Sequence, residues 1–189
     1  MTGASDRLLP YHDRLTPRPL QHIDLVVIHC TELPDLATAR AWGERIVYAE
    51  SGTGNSGHYY IDRDGQVQCW VRPDRVAHHV RRYNERSVGI ELVNNGRWPD
   101  WLDSRRQDMS EPYPRGQVDA LLRLLAELKT DLPGLRWVAG HDELDTEQVP
   151  ASDDPARRVS RKRDPGPLFP WDRVISSGLL ARFPVEVEE

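Results

Sequence analysis

The sequence of 189 residues predicts a single α/β domain, a mixed central β-sheet flanked by helices. Three observations predict it. Short apolar, β-branched runs recur at residues 23–28, 87–94 and 137–141, the pattern of strands covered on both faces. Helical periodicity separates them, at residues 36–48 and 117–132. The length suits one hydrophobic core.

The elements follow in order. Residues 1–20 are polar and carry Pro10, Pro17 and Pro19, which reads as an extended arm on the domain. Residues 23–28 form the first strand and lead directly into His29. Asp35 is a natural N-cap for a helix over 36–48, with Leu36, Ala39, Trp42, Ile46 and Val47 mostly on one side. Residues 51–57 are rich in glycine and serine but lack a lysine and a preceding strand, so they read as a turn or lid and not as a phosphate loop. Asp64-Gly65 marks a hairpin between residues 58–61 and 67–71. Val76-Ala77-His78-His79-Val80 follows. A further strand over 87–94 has Glu91 inside it. Residues 95–115 have no periodicity and form a long excursion. Val118, Leu121, Leu122, Leu125, Leu128 and Leu132 define the clearest helix, which Pro133-Gly134 ends. The last strand, 137–141, again ends in histidine. Residues 142–163 read as a polar loop, Asp164-Pro165-Gly166-Pro167 as a rigid turn, and a short helix precedes an acidic end. The expected organisation is an arm at 1–21, one domain at 22–178 and an acidic tail at 179–189.

Composition excludes several classes. A net charge of -5 argues against nucleic-acid binding, which calls for a basic face. No apolar run is long enough to span a bilayer, and Met1 to Arg7 carry no signal-peptide core. A cytoplasmic location is therefore expected, with a periplasmic or secreted one as the alternative. Two cysteines, Cys30 and Cys69, make no disulfide framework and read as buried thiols.

The chemistry begins with the histidines at two strand ends. His29 alone reads as a core histidine with one backbone partner. His29 and His141 together, on strands of one sheet, fall within reach of a single ion. Catalytic zinc takes three protein ligands at roughly 2.0–2.2 Å and keeps one position open. Asp164 fits as a third donor, because the prolines after it restrain its chain; the other reading of an aspartate before Pro-Gly-Pro is simply a turn. Glu91 reads either as a buried carboxylate with its pKa raised for general-base work or as an outward residue on a half-exposed strand. Lys162 stands two residues before Asp164, where it can stabilise an oxyanion; the surrounding Arg157 to Arg163 run otherwise reads as a solvated face.

His29 after its strand, Val88-Gly89-Ile90-Glu91-Leu92, Gly140-His141 and Lys162-Arg163-Asp164-Pro165-Gly166-Pro167 together resemble the zinc-dependent N-acetylmuramoyl-L-alanine amidases, in particular the AmpD-like branch. That fold is shared with peptidoglycan recognition proteins. Gly57-His58-Tyr59-Tyr60-Ile61-Asp62-Arg63-Asp64-Gly65 and Ala77-His78-His79 resemble the family's middle strands, and the likeness covers residues 22 to 172. It implies one zinc ion held by His29, His141 and Asp164, with Glu91 as the catalytic carboxylate and Lys162 polarising the carbonyl. His79 and Leu92 are implied as substrate-groove residues. Gly57 stands where phage relatives carry a catalytic tyrosine, which leaves that work to Glu91. The loops at 95–115 and 142–161 are longer than the AmpD-like pattern, and Trp98 and Trp101 are candidate groove contacts. The implied activity is hydrolysis of the lactyl amide between muramic acid and L-alanine, in peptidoglycan or a muropeptide, by a monomer with no nucleic-acid or membrane partner. Two rivals are a non-catalytic peptidoglycan receptor and a zinc hydrolase of another amide.

Overall fold

The computed structural model describes residues 3–184. In chain order the first strands are β1 (Ser5–Asp6) and β2 (Leu25–Cys30), followed by helix α1 (Leu36–Gly43). A hairpin of β3 (Tyr59–Ile61) and β4 (Val67–Cys69) comes next, then β5 (Ser87–Leu92) and helix α2 (Arg115–Asp131). The chain continues through β6 (Trp137–Gly140), α3 (His141–Leu144), β7 (Gln148–Pro150) and β8 (Arg158–Ser160). It closes with α4 (Trp171–Ser176) and β9 (Ala181–Arg182).

Among the described residues, seven strands form one sheet in the order β1-β4-β3-β5-β2-β6-β9. Only the β3–β4 pair is antiparallel, so the sheet is mixed. β2 is buried at every residue because it is central and covered on both faces. The Asp64-Gly65 turn joins β3 to β4 as the sequence predicts. The two end strands come from segments outside the apolar pattern: β1 from the N-terminal arm and β9 from beyond residue 178. β9 lies within the tail expected at 179–189, whose residues 185–189 are outside the described residues.

α2 carries the core. Leu121, Leu124, Leu125 and Leu128 are fully buried and join Val26, Ile28, Val88, Ile90 and Leu92 in one cluster. Each such leucine contributes roughly 1.5–3 kcal/mol relative to exposure. α1 is shorter than its periodicity predicts. Asp35 caps it, accepting from the Thr38 N–H at 2.6 Å. At the other end the Tyr11 hydroxyl donates to the Gly43 carbonyl at 2.6 Å, which satisfies a terminal acceptor and lets the chain leave the helix. Residues 44–48 therefore run on as an irregular segment.

The expected loop at 142–163 holds α3 and a two-stranded hairpin of β7 and β8. Its strands are three residues long and partly exposed, so no apolar alternation announces them. No helix among the described residues is long and apolar enough to cross a membrane.

Candidate metal centre and catalytic cleft

Parallel pairing places the carboxyl ends of β2, β5 and β6 at the same edge of the sheet, where open α/β sheets present ligands. His29 lies next to the end of β2 and is in register with Glu91 of β5, which is in register with Tyr60 of β3. His141 begins α3 directly after β6. Asp164 arrives from β8, and its carbonyl accepts from the Asp142 N–H at 3.0 Å.

These segments converge. Asp164 Oδ2 lies 2.9 Å from His29 Nδ1 and 3.0 Å from His141 Nδ1. All three side chains are buried, and their donor atoms lie within 4.8 Å of one another. His29 Nε2 lies 3.0 Å from His79 Nδ1, and His79 Nε2 lies 3.3 Å from Ser87 Oγ. A ligand histidine braced through its second nitrogen is the usual arrangement around a metal.

The donor set fits zinc. Two imidazoles and one carboxylate leave a position open, as in catalytic zinc sites. Asp164 Oδ1 is buried with no hydrogen-bond partner, and so is His141 Nε2. An unsatisfied buried carboxylate oxygen is costly, and a cation beside it removes the cost. Burial holds the His29 imidazole down to about 4, with the neighbouring His141 adding to the effect, so His29 is neutral at pH 7 and free to ligate. Burial alone would raise the Asp164 carboxyl. The two histidines overcome this and hold it well below the usual carboxylate range.

Around this centre opens a cleft of about 860 Å³, lined by Glu91, Lys162, His79 and Trp101 as well as the three donors. Burial pushes Glu91 up to about 8; Asp164 adds to the shift and Lys162 opposes it. Gly57 packs on the Glu91 stem so closely that a Cβ there would lie 2.8 Å from Glu91 Cγ. Any larger side chain at 57 would displace Glu91. Burial, followed by His29 and His58, keeps His79 well below the ordinary histidine value.

Of the residues expected from sequence, His29, His141, Asp164, Glu91, Lys162 and His79 meet in this cleft. Leu92 does not. It is fully buried in the α2-facing core, so the expected groove contact is corrected. The reason is strand alternation: Glu91 faces the cleft, and its neighbour faces the opposite side. Trp98 packs against a second cluster near Trp70, while Trp101 reaches the cleft.

Sequence reasoning missed part of the rim. Trp42, Ile46, Val47 and Tyr48 are 39%, 53%, 55% and 43% exposed, and all four line the cleft. Trp42 stands in the last turn of α1, while Ile46, Val47 and Tyr48 follow its early end in the irregular segment and stay exposed. The one local signal was Gly43, a common helix stop.

Residues 19–167 match the N-acetylmuramoyl-L-alanine amidase family. The chain belongs to that family. The endolysin of Klebsiella phage KP32 is 31% identical over 123 residues, 65% of this chain and 77% of that one. The N-acetylmuramoyl-L-alanine amidase AmiD of Escherichia coli K12 is 33% identical over 141 residues. That match covers 67% of this chain and 45% of AmiD. The solved complex of AmiD with its substrate anhydro-N-acetylmuramic acid-L-Ala-D-gamma-Glu-L-Lys superposes with a TM-score of 0.63 at 24% identity. It covers 87% of this chain and 60% of AmiD. The peptidoglycan recognition protein PGRP-SA of bumblebee shares the fold, with a TM-score of 0.62 at 19% identity over 98% of this chain and all of that one. The amidase fold and the amidase activity expected from the sequence both stand.

Proposed function

We propose that the amidase holds one zinc ion through His29 Nδ1, His141 Nδ1 and an Asp164 oxygen, and hydrolyses the lactyl amide between muramic acid and L-alanine in a peptidoglycan-derived substrate. The observation that carries the reading is the gathering of this buried donor triad with Glu91 and Lys162 in one cleft. When bound, zinc would supply a Lewis acid that lowers the pKa of a water to about 7 and a positive charge that draws Glu91 back toward its ionised form.

The chain's own residues do the rest. Glu91 accepts a proton from the attacking water and returns it to the departing alanine amine, a task suited to a carboxyl raised toward neutrality. Lys162 faces the same cleft and stabilises the negative charge that develops on the carbonyl oxygen. His79 braces His29 and so holds the ring plane and tautomer that leave Nδ1 free to ligate. A single chain contains the whole proposed site, so the chemistry needs no residue from a second copy.

The test is zinc-dependent release of stem peptide from insoluble peptidoglycan and from a soluble anhydromuropeptide, side by side. We expect release of peptide with an N-terminal alanine, lost after chelation, restored by zinc and lost in Glu91→Ala. Cleavage of the soluble substrate alone makes it a muropeptide amidase; cleavage of the polymer makes it a wall hydrolase. Zinc binding with no cleavage of either overturns the catalytic reading in favour of a receptor.

A further inference from the structure

The excursion at 95–115 grips the segment that carries Lys162 and Asp164 at both ends. The first grip is Arg97, whose side chain is 1% exposed. Its Nε donates to Glu32 Oε1 at 2.7 Å and its Nη2 to Glu32 Oε2 at 2.9 Å, a two-pronged fork. Nη1 donates to the Ser160 carbonyl at 2.9 Å and to Gln107 Oε1 at 3.3 Å, and Nη2 also donates to the Arg161 carbonyl at 3.4 Å. All five guanidinium N–H groups are thus engaged. The second grip is Tyr113, whose hydroxyl donates to the Pro165 carbonyl at 2.7 Å.

Glu32 sits three residues beyond His29, just past the end of β2. Its backbone has φ 49°, an uncommon conformation for a non-glycine residue, and its carbonyl accepts from Trp101 Nε1 at 3.0 Å. Gly96 lies against its side chain, where a Cβ would come within 2.6 Å of Glu32 Cγ. Arg97 therefore ties three pieces together: the end of the strand that bears His29, the excursion, and the chain leaving β8 toward Lys162 and Asp164.

We infer that Arg97 is a positioning residue for the amidase reaction. Anchored on Glu32, it fixes the Ser160 and Arg161 carbonyls and so places Lys162 and Asp164 against His29, while Tyr113 fixes the far side of the same segment. The inference rests on the proposed roles of Lys162 and Asp164. A lysine cannot substitute, because a single ammonium cannot span the carboxylate and two carbonyls at once. The carbonyl grips act on the backbone just before Lys162 and just after Asp164. Losing them loosens the catalytic segment without touching either functional side chain.

The test compares Arg97→Gln, the double variant Glu32→Gln/Arg97→Gln, and Tyr113→Phe with wild type. The double variant leaves no buried charge stranded, so it separates misplacement from misfolding. Arg63→Gln is the control. Arg63 holds Glu111 at 2.6 Å and so anchors the excursion, but no hydrogen bond joins it to residues 160–165. Amide hydrogen exchange is expected to speed up across residues 157–165 in both Arg97 variants, with β2 and α2 unchanged. Zinc affinity, measured by chelator competition, falls roughly 10- to 100-fold. On a soluble muropeptide kcat falls by a similar factor while KM stays within about twofold. Tyr113→Phe gives a smaller change in the same direction, and Arg63→Gln lowers the melting temperature alone. Unchanged exchange over 157–165, or an equal loss of zinc affinity in Arg63→Gln, overturns the inference. If wild type itself releases no stem peptide, the amidase reading falls, and exchange and zinc affinity still decide the role of Arg97.

Discussion

The two faces of the sheet obey different rules. On the α2 face, Val26, Ile28, Val88, Ile90 and Leu92 meet the leucines of α2 in an apolar cluster. On the other face, and toward the carboxyl ends of the same strands, stand His29 and Glu91, with His79 packed above them. Ile28 and His29 are adjacent, as are Glu91 and Leu92, so a step of one residue crosses from core to chemistry. The first face stabilises by removing apolar area from water. The second holds a raised carboxyl and an oxygen without a partner, both of which oppose folding near neutral pH until a cation arrives, and a lowered imidazole that opposes folding only as pH falls below its ordinary 6.5. Stability is made on one side and used on the other.

Substituting the two neighbours on β5 sharpens this contrast most. Glu91→Gln should lower kcat roughly 10²- to 10⁴-fold, the usual contribution of general acid–base catalysis, and leave the melting temperature of the metal-free protein no lower than wild type. Leu92→Ala should do the reverse. It should cost about 2–5 kcal/mol of stability, measured by urea unfolding, while the folded fraction keeps its kcat. If Glu91→Gln destabilised as much as Leu92→Ala, the faces would not be divided as argued.

A smaller effect appears in the pH dependence of the metal-free protein. The Glu91 carboxyl is raised in the folded state from its ordinary 4.5 to about 8, mainly by burial and next by Asp164. The folded chain therefore binds more protons at this site than the unfolded chain between those values. Stability falls as pH rises through that window and levels off above it. Burial raises Asp142 to about 7, so it contributes with the same sign. The Glu91 part is isolated by subtraction: chelated wild type minus chelated Glu91→Gln, unfolded in urea from pH 4 to 9. A difference that stays flat across the window would mean that Glu91 is solvated in solution and not raised.

Most of the first face was legible in the sequence, and much of the second. The strands around β2, the β3–β4 hairpin and α2 announce themselves through local pattern, because burial on both faces demands apolar runs and burial on one helix face demands the leucine stripe. His29, His141 and Asp164 were legible because a histidine ending an apolar strand and an aspartate before Pro-Gly-Pro are locally conspicuous. Leu92 was misread because a motif is contiguous in sequence while a strand sends neighbours to opposite sides. Arg97 and Glu32 gave no signal at all. They are 65 residues apart, and each alone looks like a surface charge; only the fold buries them together. The β7–β8 hairpin was silent because its short strands need no apolar alternation.

The smallest predicted effect concerns the cleft rim, where apolar residues sit on the chemical face. Trp42 is 39% exposed, meets Trp101 edge-on with centroids 5.7 Å apart, and lies under the Arg45 guanidinium at 3.7 Å. An exposed cation–π contact is worth about 0.5–1 kcal/mol, so Trp42→Ala should cost no more than about 1 kcal/mol of stability. If the rim belongs to the chemical face, the loss should instead appear as a higher KM, roughly three- to tenfold with kcat unchanged, since about 1.4 kcal/mol of lost binding is tenfold in affinity. Side-by-side titration of polymer and soluble muropeptide reads this directly. A loss of several kcal/mol in stability with KM unmoved would make residues 42–48 a second core, and the division between the two faces would fail at that rim.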